Sequence, residues 1–253
     1  MKPLSPICIC PYGRLRHLQR TIEALKRNPE AAASDLYLFS DAPRPGDEER
    51  VAAVRRYLRE IRGFRSVEII EREENNRVGN WVGGEMSLLE AFGRVISLED
   101  DIVVAPGFLQ FVNAGLERFA DDPRIFAICG YTPPMRLEWV TRDQACLVPR
   151  YSGWGYGYWK RSLELVPRRI EDFDRVNADP GFQERLARLG DDFLPMLRME
   201  LEQTLDAGDV RMNYVMARDD LRVVSPTISL VENIGFDNSG THCPTTQRFS
   251  VDL

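Results

Sequence analysis

The residues with the clearest chemical purpose are three consecutive carboxylates, Glu99, Asp100 and Asp101, set between the apolar runs Val95-Ile96-Ser97-Leu98 and Ile102-Val103-Val104. Short β-branched runs of this kind read as buried strand. Adjacent charges at the end of a buried strand are costly unless something positive meets them. Carboxylate oxygens so placed suit Mg2+ or Mn2+, hard cations commonly shared with a substrate phosphate. The pattern points to a metal-assisted reaction on a phosphorylated substrate, against the plainer alternative of an acidic surface turn.

Other polar clusters follow apolar runs in the same way. Pro11-Tyr12-Gly13-Arg14 comes after the run at 6–10, and Ser40-Asp41 after Leu36-Tyr37-Leu38-Phe39. Between these runs lie segments of helical periodicity: Leu15, Leu18, Ile22 and Leu25 in 15–27, then Val51, Val54, Leu58 and Ile61 in 47–61. A third strand is expected at 67–70, a helix at 80–92 despite Gly83-Gly84, and a fourth strand at 95–98. A helix over 106–119, with Pro106 in its first turn, and a strand over 124–129 complete the first half. Strand alternating with helix predicts an α/β fold with a mostly parallel sheet flanked by helices. In such sheets ligands bind beyond the carboxyl ends of the strands. The acidic triplet, Asp41 and Tyr12-Gly13-Arg14 all fall there.

The second half is less regular. Residues 150–160 are dense in glycine and aromatics, 182–207 look helical with a break at Pro195, and 210–217 are a further helix. Short strands are expected at 221–224 and 228–231, followed by a polar loop over 233–244. With no repeat, linker or low-complexity tract, the chain reads as one domain over 1–253. About 1–130 would be a nucleotide-binding half and about 131–253 an acceptor and catalytic half.

Composition narrows the classes. The 253 residues are 43% hydrophobic and 28% charged with a net charge of −6, which fits a globular chain and argues against a nucleic-acid partner. No apolar stretch approaches a membrane span, and no signal peptide opens the chain. Cys8, Cys10, Cys129, Cys146 and Cys243 are odd in number and lack paired or zinc spacing, so a reduced, cytoplasmic protein is expected, with peripheral membrane association left open. The two histidines, His17 and His242, exclude a multi-histidine metal site.

The segment from Val95 to Leu109 resembles the metal-binding segment of GT-A-fold glycosyltransferases, especially family-2-like bacterial sugar transferases and the protein-glycan N-acetylglucosaminyltransferases. Pro11-Tyr12-Gly13-Arg14, Phe39-Ser40-Asp41, Gly153-Trp154-Gly155 and the stretch from Ser229 to Cys243 agree in order, so the resemblance spans roughly residues 4 to 245. It implies a Mn2+- or Mg2+-dependent hexosyl- or N-acetylhexosaminyl-transferase acting in polysaccharide biosynthesis with a nucleotide-sugar donor, and inversion by direct displacement. The acceptor would be a glycan, lipid-linked or small-molecule hydroxyl.

By the same resemblance, Asp101 would be the metal ligand, Asp100 would contact the ribose or steady the metal, and Glu99 would lie near the nucleotide. Pro11, Tyr12 and Arg14 would border the nucleotide or diphosphate. Asp41 would accept a hydrogen bond from the base, which favours UDP because uracil offers an N–H. Arg77 and Asn80 would lie near the donor, although Val78-Gly79 departs from the usual Gly-Leu-Ala. Glycines permit close backbone approach and an indole offers a flat face with one donor, so Gly153, Trp154 and Gly155 would face a sugar. The general base would be Asp209, at a helix start ahead of Ser225-Pro226, with Asp192 as runner-up; Gly208 stands where relatives often carry tryptophan. His242 would reach phosphate or metal from its loop. A sugar-phosphate nucleotidyltransferase, or a catalytically inactive subunit that binds nucleotide or glycan, are the alternatives.

Overall fold

The computed structural model describes residues 3–134, 144–238, 246, 248–251 and 253. Among them, eight strands form one sheet in the order β3-β2-β1-β4-β8-β6-β9-β7. The strands are β1 (Ile7–Ile9), β2 (Asp35–Ser40), β3 (Ser66–Glu71), β4 (Arg94–Leu98), β6 (Ile125–Cys129), β7 (Ala145–Val148), β8 (Tyr156–Trp159) and β9 (Arg222–Pro226). A separate ribbon pairs β5 (Ile102–Val104) antiparallel with β10 (Val231–Asn233).

Strands β3, β2, β1 and β4 run parallel; β8 runs against both β4 and β6, and β9 runs parallel to β6. Two reversals restore the direction, so β6 and β9 point the same way as β4. The carboxyl ends of β1, β2, β4, β6 and β9 therefore share one rim with the amino end of β8. The sheet is continuous across both halves of the chain, and β6 lies between β8 and β9.

Side chains alternate across the strands because the pleat has a period of two. Ile7, Ile9, Ile96 and Leu98 enter one core, while Cys8 and Val95 enter the other. The first core is closed by α1 (Leu15–Lys26), α2 (Glu48–Leu58) and α4 (Phe108–Arg118). Leu18, Ile22 and Leu25 share a face at helical spacing and are fully or almost fully buried. Truncating such a leucine to alanine costs about 2–5 kcal/mol. The second core is closed by α3 (Arg77–Phe92), α7 (Pro180–Ala187), α8 (Phe193–Leu201) and α9 (Gly208–Arg218). Two shorter helices, α5 (Lys160–Glu164) and α6 (Phe173–Asn177), connect β8 to α7.

Several elements differ from the sequence reading. Tyr156–Trp159, within the stretch read only as dense in glycine and aromatics, is a central buried strand, with Tyr158 and Trp159 nearly inaccessible. Pro195 does not break a helix. It sits in the first turn of α8, where its missing N–H costs nothing, and the chain turns earlier, between α7 and α8. Helix α3 begins at Arg77 because the Asn76 side chain caps the Gly79 amide at 2.9 Å. Pro106 precedes the N-cap residue Gly107 rather than lying within α4. The last short strand is Val231–Asn233, drawn out of 228–231 by pairing with β5.

Candidate active site on the carboxyl rim

The acidic triplet is the turn between β4 and β5. The Ile102 amide bonds back to the Glu99 carbonyl, and the Thr21 hydroxyl on α1 holds the Asp100 carbonyl at 3.0 Å. Asp100 and Asp101 are 5% and 2% exposed, so neither charge is neutralised by water. Arg14, just before α1, meets both: Nη2 bonds Asp100 Oδ1, and Nη1 lies 2.7 Å from Asp101 Oδ2. Burial alone would lower the Arg14 pKa, but the two carboxylates push it above its ordinary value. Desolvation raises Asp100 despite Arg14. Desolvation, then the charges of Asp101 and Asp100, lift Glu99 to about 8.

Arg14 leaves one acceptor unmet. Asp101 Oδ1 is buried with no hydrogen-bond partner. A buried carboxylate oxygen without a partner is costly, and a cation is the natural way to satisfy it. Among the described residues no three carboxylate, imidazole or thiol groups converge into a metal cage. One or two carboxylates completed by phosphate oxygens and water is the usual Mg2+ arrangement, so the residues present fit an ion brought together with a diphosphate. The loop after β10 lies against this point: the Ile234 amide bonds the Asp101 carbonyl at 3.0 Å. A Cβ on Gly235 would overlap the Asp101 carboxylate and come within 3.1 Å of Arg14 Nη1, which excludes any larger residue there without displacement. His17 on α1 pairs with Asp237 of the same loop at 3.0 Å. His242 lies outside the described residues, as does Cys243.

At the end of β2, Asp41 is almost fully buried and its carboxylate organises a neighbouring turn. Oδ1 accepts from the Ala42 and Asn76 amides at 3.0 Å, and Oδ2 from Asn75 Nδ2 at 3.1 Å. Asn80 ties the same region to the sheet, donating to the Phe39 carbonyl at 2.7 Å and accepting from Arg72 at 2.9 Å. Arg77 is exposed at the start of α3. Pro11 is buried, and the Tyr12 hydroxyl donates to Asp47 at 2.8 Å while accepting from the Arg44 amide. Arg55 binds the carbonyls of Ser40, Asp41 and Arg72, locking the ends of β2 and β3 together.

Across the rim, Gly153 and Trp154 are partly exposed and Gly155 is buried. Gly155 has φ +66°, and a Cβ there would lie 2.9 Å from Val231. That is both a backbone and a packing reason for glycine. The Trp154 ring is edge-on to Tyr131, Phe236 and Phe249, with centroids 4.6, 5.4 and 5.6 Å away. Arg150 enters this segment with Nη1 and Nη2 of its guanidinium each on an oxygen of Asp192 at 2.7 Å. That pairing holds the Asp192 carboxyl below its ordinary range and makes it a poor proton acceptor.

Asp209 lies in the first turn of α9, where the helix dipole favours a carboxylate. It is open to solvent, yet the protein packed around it raises its pKa, desolvation outweighing the helix amides and Arg150. Its charge acts on Glu99 and on Arg150. The fold thus brings Arg14, the triplet and Asp209 into one electrostatic neighbourhood, although the acids are more than a hundred residues apart in sequence.

Sequence reasoning passed over Asn75 and Asn76 as holders of Asp41, and Arg55, Arg150 and Gly235. Their roles rest on long-range contacts. Asn75 and Asn76 stood beside the residues singled out, and an asparagine pair directly before a helix was the one available signal.

No protein-family model matches the chain, and no curated protein matches it. In structure the chain is similar to glycosyltransferases. One is the mannosyltransferase PcManGT from Pyrobaculum calidifontis, solved with GDP-Man and Mn2+, at 13% identity and a TM-score of 0.44, covering 86% of this chain and 74% of that one. Another is S. aureus TarS 1-349, at 8% identity and a TM-score of 0.47, covering 90% of this chain and 59% of that one. The same TarS fragment with UDP-GlcNAc is similar at 11% identity and a TM-score of 0.40, over 64% of this chain and 46% of that one.

Proposed function

We propose that the chain is a divalent-metal-dependent glycosyltransferase that moves a sugar from a nucleotide-sugar donor to an acceptor hydroxyl with inversion at the anomeric carbon. The observation that carries this reading is Asp101 Oδ1, a buried carboxylate oxygen without a partner at the end of a central strand. Asp101 would hold the ion, which would neutralise charge on the departing diphosphate. Arg14 is already charged and positioned beside that point, so it adds a second fixed cation for the leaving group. Asp209 takes the proton of the acceptor hydroxyl as its oxygen attacks the anomeric carbon from the face opposite the diphosphate. A raised pKa brings Asp209 nearer the working pH, which suits a general base better than the lowered Asp192. Trp154 offers its indole to a sugar ring.

The donor nucleotide is proposed to be UDP. Asp41 and the Asn75-Asn76 turn that it organises form a polar patch beyond β2 where a base N–H can be read. Titration calorimetry of UDP with and without Mn2+, on the wild type and Asp101→Ala, tests the reading. Metal-dependent UDP binding by the wild type and its loss in the variant are expected. Equal Mn2+-dependent binding by both would refute the assignment of Asp101.

A further inference from the structure

Asp209 stands on a turn with no side-chain cap of its own, followed by a helix whose apolar face fixes only the far side. A base must be held to a fraction of an ångström, since a misplacement of about 1 Å can cost on the order of 10²-fold in rate. Two buried polar side chains grip the backbone on either side of it. Glu200 of α8, 8% exposed, accepts from the Ala207 amide at 2.9 Å through Oε2 and from Arg211 Nη1 at 2.5 Å through Oε1. Asn213 of α9, 3% exposed, donates to the Asp209 carbonyl at 2.9 Å and to the Tyr151 carbonyl at 3.1 Å, and accepts from the Tyr151 amide at 2.8 Å. The residues two before and two after Asp209, and Asp209 itself, are therefore tied down. Asn213 also fastens Tyr151, in the loop after β7 that leads into Gly153-Trp154-Gly155.

We propose that Asn213 and Glu200 are positioning residues for the Asp209 turn: Asn213 locks it to Tyr151, at the head of the Tyr151–Gly155 segment, and Glu200 locks it to α8, so that the base is held in register with the sugar-facing loop. The inference rests on Asp209 as the base. Burying an amide and a carboxylate is costly without full pairing. The core beneath α9 is already filled by Val210, Tyr214 and Val215, so neither polar group is needed to close it. The groups that act on Asp209 from the surrounding elements are Arg150, Glu200, Glu99 and the amides at the start of α9.

The test uses the full chain with Asn213→Ala, Glu200→Ala and Glu200→Gln. Amide hydrogen exchange is read over 207–211 and 150–155, with 36–40 as the internal reference. Hydrolysis of UDP-N-acetylglucosamine and affinity for UDP with Mn2+ are measured in parallel. Both alanine variants should exchange faster over 207–211, and Asn213→Ala over 150–155 as well, with 36–40 unchanged. Their kcat should fall roughly 10- to 100-fold while UDP affinity stays within about twofold. Glu200→Gln keeps an oxygen for the Ala207 amide, so it should retain most of kcat. Its acid limb should move to lower pH, because a negative charge that raises Asp209 has gone.

Unchanged exchange or unchanged kcat in the alanine variants would overturn the lock. So would a glutamine variant as poor as alanine, or loss of protection throughout the chain. Failure of the functional reading looks different: the wild type would neither bind UDP nor hydrolyse the donor, whatever the exchange over 207–211. Wild-type hydrolysis by Asp209→Asn would remove the base assignment, and the inference with it.

Discussion

Replacing Arg14 by glutamine should destabilise the metal-free protein strongly and in a pH-dependent way. The guanidinium faces two carboxylates that are 5% and 2% exposed, and its own side chain is 22% exposed. Glutamine keeps a hydrogen-bond donor but removes the charge, leaving two buried acids facing each other. Removing one partner of a buried ion pair typically costs about 3–5 kcal/mol. For a chain of this length each kcal/mol moves Tm by about 2 °C, so a fall of about 6–10 °C is expected near pH 8. The sign with pH follows from Asp100, whose pKa is raised by burial with Arg14 pulling the other way. Without Arg14 it rises further. A carboxyl group with a raised folded pKa binds its proton more tightly in the folded state. The penalty is therefore full above the folded pKa and is relieved as pH falls through it. The gap between wild type and variant should narrow from pH 8 to pH 5 in a differential scanning experiment. Mn2+ with UDP should recover part of the loss by mass action, about 2.7 kcal/mol at a hundredfold excess over Kd. A Tm within about 1 °C of wild type, or a gap that widens as pH falls, would refute the claim that Arg14 is the counter-charge of the triplet.

Asp209→Asn should retain UDP and metal binding but lose about 10²–10⁴-fold in transfer, the usual worth of a general base, while Asp192→Asn should lose far less. The reverse ranking in a donor-turnover assay would move the base to Asp192. Gly235→Ala should weaken Mn2+-dependent UDP binding and lower Tm, because the added Cβ displaces the Asp101 oxygen that pairs with Arg14; wild-type affinity by calorimetry would contradict that placement. The wild type should prefer UDP to GDP, and Asp41→Ala should erase much of the preference, because the Asn75-Asn76 turn loses the carboxylate that holds it and hydrogen bonds to charged groups are worth about 1.5–3 kcal/mol. Equal wild-type affinities would remove the case for uracil.

The sequence by itself determined the alternation of strand and helix in the first half and the placement of the acidic triplet at a strand end. Those properties are local. A β-branched run such as Val95-Ile96 or a helical stripe such as Leu18-Ile22-Leu25 carries its own period, and each is buried as that period requires. The second half was harder to read because its elements depend on distant partners. Tyr156–Trp159 is rich in aromatics and glycine but becomes a central strand because β4 and β6 pair with it on either side. Val231–Asn233 is a strand only because β5 supplies the opposing edge. The same distinction runs through the candidate site. That Asp100 and Asp101 would need a positive partner was legible from three adjacent acids. That the partner is Arg14, that one Asp101 oxygen is left unmet, and that Asp209 and not Asp192 has the raised pKa were decided by tertiary structure. Charge and burial are properties of the space around a group, and that space is filled by residues far away along the chain.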